Sequence, residues 1–372
     1  MVNFFDPALG YTEYYLAKKQ AEHGFNVCVL TSDYSINSKK KFSVGTSKVD
    51  GVYVVRIKAA CRFRGNVLFF NPLTLSKFIK FFSPNVIHCH GLFSPLAQEV
   101  LLLKSFYGYK LVGDLITGIS PLTFQLIQVF KKFFDHWFSN RVNEFFACNK
   151  AIESFLLETL RTPPSKTHFI PLGADQELFK PDRTKRKRTR ILLGIHPEDV
   201  VAIYTGKFLP SKRIHDLLIA SKAIIEQHKN FKVVLVGDGP PSYREILGFL
   251  SKELGIKNNV LTIKTVHRTE LPDFYNAADF AIWPGSFSIS VIEAMACGLP
   301  VIIAKSNWTT HHLEYKNGFS FKAGDTKTLS SLSLRLSQSP KLRMQMGEMS
   351  RKLVEEKLNW NTIANQYLDV YK

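Results

Sequence analysis

The chain is short of acidic residues. Its 31 Asp and Glu face 49 Lys and Arg, a formal net charge of +18 over 372 residues. That imbalance favours anionic partners, whether nucleotide, nucleic acid or a negatively charged membrane surface, without separating them. Cysteine is scarce too. Cys28, Cys61, Cys89, Cys148 and Cys297 are scattered, odd in number and without metal-ligand spacing, which argues against a zinc module. Most sit in apolar or strand-like contexts, as buried thiols in a reducing compartment do. No apolar run reaches the roughly 18 residues of a membrane span. Charged, amphipathic residues 12–23 follow the start too closely for a secretory leader. The first strand is not followed by G-x-G-x-x-G, which argues against nicotinamide or flavin chemistry. No zinc finger, helix-turn-helix or ribonucleoprotein motif is present. What is present is 45% hydrophobic and 13% aromatic content, which excludes general disorder and, at this length, suits two domains.

Strand-like and helix-like segments alternate. In the first half, residues 2–5, 26–32, 52–57, 86–89, 110–112, 145–148 and 167–170 read as strands, with helices at 12–23 and 94–107. Thr12 suits a helix N-cap and Gly24 a stop. The first strand is short, since only residues 2–5 precede Asp6-Pro7. Either the domain tolerates a stub or the true start lies upstream. The second half repeats the pattern, with strands at 200–205, 231–236, 260–263 and 280–283, helices at 212–227, 242–254 and 271–278, and a largely helical tail from 340 to 371. The expected fold is α/β, with two Rossmann-like, doubly wound parallel-sheet domains facing across a cleft. Between the halves stands DRTKRKRTR, residues 182–190, with six basic residues in eight. It reads as a solvated linker or hairpin at the domain boundary, or as a face for phosphate or membrane. The expected domains are 1–181, which would bind acceptor, 182–355, which would bind nucleotide sugar, and a helix at 356–372 packing back on the first.

The most informative stretch is WPGSFSISVIEAMACGLPVII, residues 283–303. A strand leads into a Pro-Gly-Ser turn, then a helix expected from about Ser288, then Gly298, Pro300 and a second strand. Helix N-termini at sheet switch points hold phosphate; small residues such as Ala294 and Ala296 equally permit mere close packing. Glu293 lies in an otherwise apolar segment, where an unpartnered carboxylate is costly, so a ligand such as a ribose diol is its expected partner. Gly206 and Lys207 end a strand and Lys212 starts the next helix. The two cations could clamp a diphosphate, or simply be solvated. Gly10 sits at the first strand–helix turn, as a ligand contact or a plain turn residue. His88 and His90 end another strand. His-x-His suggests metal, but no third ligand is spaced to join it, and one of the two should pack into the core while His90 faces the cleft. Asp114, at the next strand end, could orient a sugar hydroxyl, assist proton transfer or cap a turn. Residues 63–82 and 124–146, the latter with Lys131, Lys132, Trp137 and Arg141, are aromatic and basic. They read as core, or in part as a membrane-facing surface.

These motifs resemble the retaining glycosyltransferases of family 4, over nearly the whole chain. The resemblance rests on Gly10-Tyr11, Val86-Ile87-His88-Cys89-His90, Ile170-Pro171-Leu172-Gly173-Ala174-Asp175 with Phe179 and Pro181, and Gly206-Lys207 with Lys212. Gly237-Asp238-Gly239-Pro240 and Glu293 to Ile302 complete it. It implies the two-domain GT-B architecture and a UDP- or GDP-sugar donor without cofactor or metal. Lys207 and Lys212 would hold the diphosphate, Gly10, Gly206, Gly285, Ser286, Phe287, Ser288 and Ile289 would line the donor, and Glu293 would take the ribose. Tyr11 and His90 would stand on the acceptor side, and a helix near Trp360 would brace the first domain. The implied acceptor is a saccharide or polyprenyl-linked lipid, with the protein in the cytoplasm on the inner face of the membrane; nucleic acid is not an expected partner. Two departures stand out. The first glutamate of the family's pair falls on Gly285, and Asp114 occupies a position where histidine is frequent. A non-catalytic membrane- or nucleic-acid-binding protein on the same fold, or a nucleotide-sugar epimerase or phosphorylase, remains the competing expectation.

Overall fold

Valine and isoleucine dominate the strand segments, and in both halves they assemble into parallel sheets, the arrangement that buries β-branched runs on both faces. The computed structural model describes residues 1–34, 41–63, 67–115, 137, 140–307 and 309–372. It divides into two units, Met1–Leu172 with Trp360–Lys372, and Gly173–Asn359. The divisions fall earlier than 181 and later than 355 for a packing reason. Phe179 is fully buried against Tyr275, Arg351 donates to the carbonyls of Gln176 and Phe179, and the Ala174 amide donates to Leu358.

In the first unit, β1 (Cys28–Ser32), β2 (Gly45–Val49) and β3 (Val52–Ile57) form a sheet in the order β1-β3-β2, with β1 parallel to β3. A small hairpin joins β4 (Cys61–Phe63) to β5 (Val67–Phe69). A second, all-parallel sheet runs β6 (Val86–His90), β7 (Lys110–Asp114), β8 (Glu144–Ala147) and β9 (Thr167–Phe169). Residues 1–3 lie between the sheets without forming a strand of their own. Val2 donates to Leu30 at 3.1 Å, and Met1 accepts from the His90 amide at 3.0 Å. Helix Trp360–Tyr371 supplies Trp360, Ile363 and Tyr367 to the core that holds Tyr15, Val112 and Phe146. Trp360 stacks on Tyr15 with centroids 5.3 Å apart.

The second unit is a six-stranded parallel sheet in the order β12-β11-β10-β13-β14-β15, from β10 (Val200–Thr205), β11 (Phe231–Val236), β12 (Val260–Ile263), β13 (Phe280–Trp283), β14 (Val301–Ala304) and β15 (Gly318–Phe321). From β10 the chain winds outward through β11 and β12, then returns to β13 on the other side. The gap between the carboxyl ends of β10 and β13 is therefore a topological switch point, where ligands of such sheets bind.

The basic run is neither linker nor hairpin. It is helix Arg183–Leu192, capped by Asp182. Its composition conceals an inward face. Arg186 and Arg190 reach Asp279 at 2.8 and 3.4 Å, Arg190 also donates to three main-chain carbonyls, and Lys185 pairs with Asp273 at 2.8 Å. Among the described residues no helix is long and apolar enough to cross a membrane. Stretch 124–146 lies largely outside the described residues.

Candidate functional site

Two loops converge at the switch point of the second unit. After β10, Gly206 and Lys207 lead into a short turn, Pro210–Lys212, and helix Ile214–Gln227. After β13, residues 284–289 lead into helix Ser290–Ala296, which starts two residues later than expected. The loops are bonded to each other. The Ser286 amide donates to Ser211 at 3.0 Å. The Lys212 ammonium donates to the carbonyls of Ser286 and Phe287, at 3.0 and 2.5 Å. Burial, then the charge of nearby Lys207, pushes the Lys212 ammonium down to about 8. Lys207 itself is exposed. Two cations thus stand beside a loop whose Ser288 hydroxyl donates to Ser290 at 3.0 Å and whose Ile289 starts the helix. Chemically, two cations so placed could hold a polyanion.

Gly285 is where it is because nothing larger fits. A Cβ there would lie 2.3 Å from the Ser211 carbonyl oxygen and 2.6 Å from the Lys212 carbonyl carbon. Backbone cannot swing aside as a side chain can, so the glutamate expected at this position is incompatible with the observed loop packing. Gly237 plays the same part below it. With φ of 147°, its missing Cβ would meet the Gly206 carbonyl oxygen at 1.9 Å, and this close approach seats the β11 turn against the β10 turn.

Glu293 is buried, and its partner is not left to a ligand. Arg268 donates to its Oε1 through Nε at 3.0 Å and Nη2 at 2.8 Å, and the Tyr275 hydroxyl stands 3.4 Å from Oε2. Burial, then the Glu293 charge, raises the Tyr275 hydroxyl well above its usual range, so it stays a donor. Arg268 was missed in the sequence. Its only local signal is Val266-His267-Arg268-Thr269-Glu270, a polar turn with a capping box in front of helix Leu271–Ala277.

In the first unit, Gly10 takes a left-handed conformation (φ 58°) and closes the turn Pro7–Leu9, while Tyr11 precedes helix Thr12–Glu22. His88 and His90 do not split between core and surface. Two residues apart on β6, they share one side of the sheet, and Cys89 between them takes the core. Asp114 on β7, opposite His90 in register, meets both: its Oδ2 lies 3.1 Å from His88 Nε2 and 2.6 Å from His90 Nδ1. The Gly91 amide donates to Oδ1 at 3.2 Å. His88 Nδ1 reaches the Tyr371 hydroxyl at 2.6 Å. Burial would push the Asp114 carboxyl up, but the two imidazoles hold it well below the usual carboxylate range. Burial, then His90, lowers His88 to about 4. Asp114 is thus the third group that sequence spacing could not place beside His-x-His. Among the described residues these three form the cluster able to hold a metal ion, with ligand atoms within 4.8 Å of one another. Hydrogen bonding already accounts for the arrangement, because Asp114 has three protein donors.

The structure places Gly206, Lys207, Lys212, Gly285, Ser286, Phe287, Ser288, Ile289 and Glu293 on the two segments that follow the carboxyl ends of the central strands β10 and β13. It brings His90 and Asp114 together at the carboxyl ends of β6 and β7, and sets Gly10 and Tyr11 just after the turn Pro7–Leu9.

Two family models together match most of the chain: Glycosyltransferase Family 4 over residues 11–178 and Glycosyl transferases group 1 over residues 185–353. Among curated relatives, D-inositol 3-phosphate glycosyltransferase 2 of Catenulispora acidiphila is 29% identical over 59% of this chain and 53% of its own. N-acetyl-alpha-D-glucosaminyl L-malate synthase of Bacillus anthracis is 30% identical over 52% and 50%. The matched stretch thus spans about half the length of these relatives. Among solved structures, a glycosyltransferase from Rickettsia africae superposes with a TM-score of 0.79 at 14% identity, covering 100% of this chain and 96% of its own. Anabaena HepE, solved in complex with UDP, gives 0.76 at 17% identity, covering 99% and 97%. With both halves matched and the GT-B fold shared, the chain belongs to the family 4 glycosyltransferases.

Proposed function

We propose that the chain transfers a sugar, with retention of anomeric configuration, from a nucleotide-diphosphate sugar to a saccharide or lipid-linked acceptor in surface polysaccharide or glycolipid synthesis. The observation that carries this reading is the convergence of Lys207, Lys212, loop 284–289 and Glu293 at the β10–β13 switch point. Glu293 would take the ribose and the two lysines the diphosphate. The bond between the anomeric carbon and the diphosphate oxygen breaks, leaving oxocarbenium character on the sugar. The acceptor oxygen then bonds to that carbon on the same face. Its proton passes to the departing phosphate, whose growing charge the lysines stabilise. Asp114 and His90 would stand on the acceptor side. UDP and UDP-glucose in the HepE complexes favour a UDP-sugar donor. No cofactor is required by this scheme. A lipid-linked acceptor would place the protein in the cytoplasm, on the inner face of the membrane.

The second reading, a non-catalytic binding protein on the same fold, is favoured by Gly285, which leaves no room for the expected carboxylate. A panel of UDP- and GDP-sugars, tested first for binding by calorimetry and then for radiolabel transfer to membrane extracts, separates the two. Transfer supports the enzyme; nucleotide-sugar binding without transfer or hydrolysis supports the second; donor turnover without acceptor points to an epimerase or phosphorylase.

A further inference from the structure

We infer that the paired helices Pro72–Phe82 and Pro95–Tyr107 of the first unit form a docking face for an anionic phospholipid bilayer. The first helix buries Leu75 and Ile79 and turns Leu73 and Phe81 outward, 72% and 90% exposed. The second buries Leu96, Ala97, Val100 and Leu101 and leaves Leu102 and Phe106 54% and 80% exposed. The exposed residues follow helical spacing. Leu73, Lys77 and Phe81 lie four apart on one stripe, Leu102 and Phe106 four apart on another. The hydroxyls of Ser76 and Tyr107 meet at 2.5 Å, which sets the helices side by side with both stripes outward.

The chemistry of this face selects its partner. Lys77 and Lys80 are exposed among the apolar groups. The first helix carries no acidic residue. On the second, the acid is Glu99, whose carboxylate is turned to the Phe70 amide. Lysine is depleted from the centre of protein–protein interfaces. At a bilayer the same mixture fits at every depth. Phenylalanine and leucine enter the acyl boundary, while lysine stems lie along them and their ammonium groups reach anionic head groups. The face deepens the membrane-side reading above and rests on it for its purpose, which is to hold the protein where a lipid-linked acceptor lies.

The test is co-sedimentation of the full chain with phosphatidylcholine vesicles, with and without phosphatidylglycerol, across salt. The variants are Phe81→Ser/Phe106→Ser and Lys77→Glu/Lys80→Glu, and UDP binding and the unfolding midpoint serve as controls. All four positions are exposed, so both controls should match wild type. The aromatic pair should lower partitioning onto anionic vesicles about tenfold or more. The lysine pair should do likewise and remove most of the salt dependence. If wild type binds anionic vesicles and both variants bind equally well, this face is overturned while the membrane reading stands. If wild type ignores anionic vesicles at low salt, the membrane reading falls with it. A wild-type dimer that Phe81→Ser/Phe106→Ser dissolves, without vesicle binding, would reassign the face to a second copy.

Discussion

Arg268 grips Glu293 through one carboxylate oxygen: Nε and Nη2 converge on Oε1, while among the described residues the partner of Oε2 is the Tyr275 hydroxyl at 3.4 Å. On the proposed scheme, this lightly engaged oxygen is the one that would accept from a ribose hydroxyl. Glu293→Gln should weaken nucleotide-sugar binding by about 1.5–3 kcal/mol, the loss of a charge-assisted acceptor. Arg268→Ala should act differently. It strands a buried carboxylate and should cost about 3–5 kcal/mol of stability, read as a lower denaturant midpoint. Calorimetric titration that gives equal affinity for wild type and Glu293→Gln would remove Glu293 from the site.

Lys212 should make donor binding pH-dependent. Its ammonium titrates near 8 in the folded chain, and an adjacent diphosphate favours the charged form, so binding takes up a proton. Affinity should be greatest below pH 8 and fall as pH rises through it. Lys212→Arg, charged throughout, should flatten the profile. Lys212→Ala should lower kcat more than it raises KM, by about 2–4 kcal/mol in the transition state. Titrations in buffers of different ionisation heat count the proton directly; a pH-flat wild type would contradict this assignment.

Restoring the expected acid should fail. Gly285→Glu must move the Ser211–Lys212 backbone, which a Cβ would approach to 2.3 Å. Overpacking of this kind costs about 1–3 kcal/mol, and displacement of Lys212 should weaken donor binding as well. Gly285→Ala should show the same loss in smaller measure. A variant Gly285→Glu with wild-type melting temperature and tighter donor binding would show that the loop rearranges freely.

The first unit should be acid-labile above the usual carboxylate range. His88 is held at about 4, against an ordinary value of about 6.5. The unfolded chain therefore takes up this proton first, and stability falls as pH drops from about 6.5 towards 4. Asp114, depressed in the fold, adds in the same direction: its contribution is present above its unfolded value near 4 and is lost below it. Asp114→Asn should lower stability at neutral pH, leave the His88 limb between about pH 6.5 and 4 in place, and remove the further loss below about pH 4. Chemical denaturation from about pH 7 down to about 2.5 measures both; a flat wild-type profile between about pH 6.5 and 4 would mean His88 is not buried neutral.

Much of this architecture could be read from local pattern. Val52–Ile57, Val200–Thr205, Phe231–Val236, Val260–Ile263 and Phe280–Trp283 are strands at the expected bounds, because apolar, largely β-branched runs end at polar or turn residues. Helix Thr326–Gln338 was not legible. It is rich in serine and threonine, and its clearest signal is the single cap Asp325, which accepts from the Thr328 amide. Helix Arg183–Leu192 was misread because the acids facing it, Asp273 and Asp279, lie some 90 positions downstream. The residues that converge at the β10–β13 switch point were legible as motifs, but their partners were not. Glu293 needs Arg268, and Asp114 needs both histidines, through contacts that strand register and loop packing create.

The placement of helix Trp360–Tyr371 sets an order of assembly. The second unit is one uninterrupted stretch, Gly173–Asn359, whereas the first needs Trp360–Lys372 from beyond it. During synthesis the first unit is begun earliest and finished last: Tyr15 waits for Trp360 to complete its stack. Closing so long a loop is entropically slow unless the intervening chain has already condensed. The second unit, by folding on its own, brings Ala174 and Leu358 within a hydrogen bond of each other and shortens that loop to almost nothing. A lesion that unfolds the second unit should therefore delay the first unit's maturation as well.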